Sequence, residues 1–170
     1  LAVAQGAPSM AYEAGAFPVG YWGSDNKHYF ARYVGQGGGW SPVAEAVQPM
    51  GGGQSFGSSA PALASVGGEP YLVHTGTDGK IYEQRRSGNT WTVAAPHDVG
   101  NAQPTISPTA IALSGGAEDM LVVYVVAANS QIGWMTRKPG APPVWNASWG
   151  PRRSSTCSAA CAAGTGAPFI

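Results

Sequence analysis

The chain has 170 residues, 25 of them Gly and 14 Pro, nearly double the usual share, while only 11% are charged. Nine basic side chains balance nine acidic ones, so the basic excess that marks nucleic-acid binders is missing. A hydrophobic content of 44% argues against disorder, and the longest apolar run, Met120–Ala128, is about half the ~18–20 residues of a membrane helix, so no membrane insertion is expected.

In chain order, Leu1–Gln5 reads as a short strand, of the kind that ends a sheet. Three similar units follow. In the first, Pro8–Ala11 leads to Gly15, then Phe17–Trp22, a turn at Ser24-Asp25-Asn26, and Lys27–Arg32. In the second, Pro61–Ala64 leads to Gly67-Gly68, then Tyr71–His74, a turn at Thr77-Asp78-Gly79, and Lys80–Arg85. In the third, Pro108–Ala112 leads to Gly115-Gly116, then Met120–Ala127, a turn at Ala128-Asn129-Ser130, and Gln131–Thr136. A fourth start at Ser158–Ala163 runs on to Gly164 and Ala167–Ile170. Gly15, Gly67, Gly115 and Gly164 set a period of about 50 residues, and such a period is the mark of a repeat architecture.

Each unit reads as four strands. The second and third are joined by a tight Asp/Asn/Gly turn, the strongest short-range hairpin signal. The third alternates, with Ile81, Glu83 and Arg85 on one face and Tyr82, Gln84 and Arg86 on the other. A polar or Gly-rich loop then leads to a Trp on the fourth strand: Trp40, Trp91 and Trp149. A helical reading fails because Pro and Gly interrupt every window of about a dozen residues. The expected fold class is all-β, a β-propeller of four-stranded antiparallel blades with about 50 residues per repeat, three full blades plus a partial fourth. A single propeller, or propeller portion, over 1–170 divides into repeats at about 7–56, 57–104, 105–156 and 157–170. Small first-strand residues (Ala62, Ala64, Ala110) suit the crowded axis, and a fourth-strand Trp suits the wider outer gap. A β-sandwich is the competing arrangement.

The unit Ser59–Ala64, Gly67-Gly68, Tyr71–Val73, Gly76–Tyr82 and Trp91 resembles the repeat of tectonin-like and related bacterial and fungal propeller lectins. The resemblance spans about three repeats. It implies a secreted or extracellular protein that binds carbohydrate without catalysis, a fucose-like sugar or another glycan. In the fucose-binding propellers an Arg, a Glu and a Trp hold the sugar between blades. Glu83 and Trp91 match two of these and are expected to share one cleft, while Tyr71–His74 stands where the Arg is expected.

The chemistry-bearing residues are read as follows. Sugar sites pair an aromatic face with planar hydrogen-bonding groups, and the third strands supply that mixture in Tyr29 and Arg32, in Tyr82, Glu83 and Arg85, and in Trp134 and Arg137. Trp40 and Trp91 follow one loop later. The competing reading makes each Trp a packing residue between sheets and each Arg a solvated edge charge. Asp25 and Asp78 are turn formers, and Glu118-Asp119 lies in a loop before a strand. No catalytic residues are expected: adjacent His97 and Asp98 point apart on an extended chain, and paired-carboxylate chemistry would have to join acids of different blades. No metal or cofactor is expected either, because the three His fall at non-equivalent positions. Cys157 and Cys161 form a local disulfide across a turn or remain two reduced thiols. Three and a fraction units do not comfortably close a usual ring, so a further chain, as a homo-oligomer or a missing segment, is expected to complete it.

Overall fold

The hairpin turns organise the fold. A computed structural model describes residues 4–13, 15–40, 45–47, 57–99, 102–140 and 144–153. In it Asn26, Gly79 and Ser130 take φ of 62°, 75° and 55°, the left-handed conformation that closes hairpin loops spanned by Gly23–Lys27, Gly76–Lys80 and Val126–Gln131 hydrogen bonds. The repeat markers Gly15, Gly67 and Gly115 are left-handed as well, so the period read from glycines is a period of backbone geometry.

These turns divide an all-β chain into three antiparallel sheets. The first holds β1 (Ser9–Met10), β2 (Ala16–Trp22), β3 (His28–Val34) and β4 (Gly39–Trp40), with β5 (Glu45–Ala46) also pairing β3. One short helical turn, α1 (Gly35–Gly38), links β3 to β4. The second holds β6 (Ala62–Val66), β7 (Glu69–Thr75), β8 (Ile81–Ser87) and β10 (Ala95–His97), with β9 (Thr90–Trp91) also on β8. The third holds β11 (Thr109–Ala112), β12 (Met120–Val125), β13 (Gln131–Lys138) and β14 (Val144–Arg153). Of the N-terminal segment read as a last strand, the described Ala4 bridges Gly23 beyond the end of β2, on the first-strand side of its sheet. The partial fourth repeat and both cysteines lie outside the described residues.

The sheets stack in chain order. Each has a front, facing the preceding sheet, and a back, facing the next. Leu63, Leu72 and Trp91 on the front of the second sheet meet Phe30 and Val47 of the first. Ala62, Ala64, Tyr71, Val73 and Ile81 on its back meet Ala110, Met120, Val122, Tyr124 and Met135 of the third. The middle sheet is therefore buried on both sides, and Leu72, Val73 and Ile81 are fully enclosed. The outer two alternate along their central strands between buried and half-exposed or exposed residues, as one-sided sheets should.

Sheets approach each other along their first strands, β6 touching β11 on one side and β1 and β2 on the other. The small residues expected there carry this contact: Ala62, Ala64 and Ala110 are buried. Gly20 in β2 contributes to the same approach, since a Cβ there would stand 3.1 Å from Leu63 Cγ.

Candidate functional site

Counting from each left-handed turn residue brings the three sheets into register. Tyr33, Arg86 and Arg137 stand seven residues after Asn26, Gly79 and Ser130, and pair with Trp40, Trp91 and Trp145 respectively. The fourth-strand Trp of the third unit is thus Trp145. Trp149, expected there from the sequence, pairs with Gly133 further along the strand. Phe30, Glu83 and Trp134 stand four residues after the same turns.

This register explains how one sheet grips the next. Between the first and second sheets, Arg86 lies 4.9 Å over the Phe30 ring and donates to both oxygens of Glu45, at 2.9 and 3.4 Å. Trp91 meets the same ring edge-on at 5.3 Å. Between the second and third sheets, Arg137 and Trp145 occupy the same two places, but Glu83 stands where Phe30 was. The apolar grip becomes a polar one.

Arg137 donates from Nη1 to Glu83 Oε1 at 3.0 Å, and from Nε and Nη2 to the two oxygens of Asp119 at 2.8 and 2.9 Å. Its guanidinium also lies 4.1 Å over the Tyr71 ring. The Trp145 indole donates to Glu83 Oε2 at 2.9 Å, and His97 Nε2 lies 3.3 Å from the same oxygen. Burial by itself lowers the Arg137 pKa, but its contacts with Asp119, Tyr71 and Glu83 outweigh that and hold it above the ordinary range. Two carboxylates thus face the Arg137 guanidinium from two sheets.

Beside this cluster opens a cleft of about 530 Å³, lined by Tyr71, Glu83, Arg85, Asp119 and Arg137, with Thr92 and Pro139 at its walls. Arg85 is ion-paired with Glu69 at 3.3 Å and remains about half exposed. Two carboxylates and two guanidinium groups therefore border a single opening, together with Tyr71, which is 6% exposed and carries the Arg137 guanidinium over its ring. Among the described residues no group of three or more His, Cys, Asp or Glu could hold a metal ion.

Three of the nine expected ligand residues meet here: Glu83, Arg85 and Arg137. The other six do not. Trp91 is buried on the front of the second sheet, whereas Glu83 is on its back, so the two do not share a cleft; Trp91 pairs with Arg86, and strand alternation sends residues 83 and 86 to opposite faces. Tyr82 also points frontward, stacked on His74 at 5.3 Å with its hydroxyl donating to Asp78. Tyr29 stacks on Tyr21 and Trp40 leans on Tyr33, both pairs on the front of the first sheet. Arg32 donates to Glu13 at 2.7 Å. Trp134 lies half-buried on the back of the third sheet.

Sequence reasoning missed Tyr71, Asp119, His97 and Trp145 as members of the cluster. Asp119 is in the loop before β12, as expected, but its N–H donates to the Arg137 carbonyl at 2.9 Å, which continues the hairpin ladder past Met120. No constant offset marks the fourth-strand Trp, since Trp40, Trp91 and Trp145 follow their turn residues by 14, 12 and 15 positions; the cross-strand pairing identifies Trp145.

The interface between the first and second sheets encloses two histidines. His28 and His74 lie 4.5 Å apart, ring centre to ring centre, and both are almost fully buried. Burial pulls the His28 pKa down to about 4, although the Ser59 carbonyl 3.2 Å away opposes this. Burial and the neighbouring His28 push His74 well below the ordinary range. Both are neutral packing groups at pH 7.

No protein-family model matches the chain, and no curated protein matches it.

Proposed function

We propose that the chain is a secreted, non-catalytic carbohydrate-binding protein of β-propeller type, with its sugar site in the cleft between the second and third sheets. One observation carries this reading: Glu83, Asp119, Arg85 and Arg137 converge on an opening that also holds the Tyr71 ring. Carboxylates and guanidinium groups are planar hydrogen-bonding partners for neighbouring hydroxyls. An Arg, a Glu and a Trp come together here as Arg137, Glu83 and Trp145, drawn from two sheets rather than from one repeat. Three sheets with a recurring packing relation, about 45–50 residues apart, support the propeller reading.

Screening the purified chain on a broad glycan array tests the proposal. Selective binding to one family of glycans is the expected result. Absence of binding to any glycan, by folded protein, overturns it.

A second reading has its own observation. The Arg137 guanidinium already serves Glu83 and Asp119, as a clasp between two sheets would, which favours an interaction or structural portion of a larger protein. A blank array with an intact fold would select it.

A further inference from the structure

The front of the first sheet and the back of the third carry the two halves of a contact that the chain makes twice internally. In both internal interfaces the back of one sheet meets the front of the next, and the same positions meet each time: the residue four after the left-handed turn faces the residue seven after it and the fourth-strand Trp. Phe30 meets Arg86 and Trp91. Glu83 meets Arg137 and Trp145.

On the outer faces the same positions are aromatic. The front of the first sheet presents Tyr33 and Trp40, 36% and 59% exposed and leaning on each other at 5.3 Å. Phe17, cross-strand partner of Tyr33, continues the row and is also exposed. The back of the third sheet presents Trp134 at the Phe30 position, with Leu121, Val123 and Ile132 half-buried around it. Neither outer row carries the charged residue found at the matching internal position: Tyr33 replaces Arg86 and Arg137, and Trp134 replaces Glu83.

We infer that this chain associates head to tail with a second copy, the back of the third sheet of one copy docking on the front of the first sheet of the other, with Trp134 seated against Tyr33 and Trp40. The match is one of position and chemistry. The occupant must offer a twisted sheet with an apolar aromatic at one register position, and the third sheet's back is such a surface. An aromatic triad of this kind suits the desolvated centre of a protein interface. Because front and back differ, the contact is heterologous: it closes where the rotation allows and extends where it does not. Two copies would bring together six sheets of described residues, within the range of propeller rings. The contact does not depend on what the cleft binds.

Sedimentation velocity of the full chain tests this with two variants, Trp40→Glu on the front and Trp134→Glu on the back, each checked for an unchanged β-sheet circular dichroism spectrum. The wild type should sediment as two or more chains of 17.3 kDa. Each variant alone should be monomeric or limited to weak residual association. An equal mixture should recover a two-chain species, because it retains one intact front and one intact back. A monomeric wild type overturns the inference, as does an assembly unaffected by both variants. If one variant alone still associates like the wild type, the contact is front to front or back to back and the inference is overturned; two monomeric variants whose mixture fails to recover association overturn it as well.

Discussion

The Arg137 guanidinium donates to Glu83 Oε1 at 3.0 Å from a strand 54 residues further along the chain. Both side chains are buried, at 4% and 7% exposure, and this pair joins the second sheet to the third. Removing one charge would strand its partner away from water. Arg137→Met should therefore destabilise the fold by about 3–5 kcal/mol, the usual cost of breaking one side of a buried pair. Glu83→Gln keeps the shape and an acceptor oxygen and should cost less. Urea unfolding curves of the two variants check the order, and an Arg137→Met midpoint equal to wild type would refute the clasp.

The two buried histidines make the fold acid-sensitive. Their folded pKa values lie below the unfolded value near 6.5, with His28 at about 4. Between these limits the unfolded chain binds more protons, so stability falls as pH drops from about 6.5 toward 4. His28 alone accounts for about 3 kcal/mol over that window. Ile81 and Ile132 stand at the His28 position in the other two sheets. His28→Ile should flatten the pH dependence, and unfolding free energies measured at pH 7, 6 and 5 show whether it does.

Left-handed backbone suits Gly79 and strains Ser130. Gly79→Val should cost about 1–2 kcal/mol, and Ser130→Gly should gain up to about 1 kcal/mol, since only one of the two native residues lacks a Cβ. Thermal melts of the two variants should move in opposite directions. Movement in the same direction would contradict the turn geometry.

How far the sequence reached depends on the range of the interaction. Turn residues act on their own backbone, so Asn26, Gly79 and Ser130 could be identified without a structure, and with them the strands on either side. Strand alternation correctly assigned Glu83 and Arg85 to one face and Arg86 to the other. Pairing Glu83 with Trp91 failed because it took closeness in the chain for a shared face. The third residue of the cluster comes from the next repeat, and no pattern within one unit reports what the neighbouring unit presents. Trp149 was preferred to Trp145 for a similar reason: the loop after β13 is longer than its counterparts, and only counting along the paired strands corrects for it.

Gly133 records one such cross-strand demand. It pairs with Tyr124, and a Cβ at Gly133 would run into the Tyr124 ring, whose hydroxyl donates to the Val99 carbonyl at 3.3 Å. Gly133→Ala should cost about 1–3 kcal/mol through overpacking. Gly133→Ala combined with Tyr124→Leu should recover part of that loss relative to the sum of the single variants, which a double-mutant cycle in urea measures.

The sugar site is tested most directly by calorimetric titration of the strongest array glycan into wild type, Arg85→Ala and Arg32→Ala. Arg85 and Arg32 stand at the same strand position, one lining the cleft and the other donating to Glu13 in the first sheet. The account predicts one site per chain, binding weakened at least about tenfold by Arg85→Ala, a loss of roughly 1.4 kcal/mol, and wild-type affinity in Arg32→Ala. Undiminished binding by Arg85→Ala, or equal loss in both variants, would contradict a glycan site between the second and third sheets.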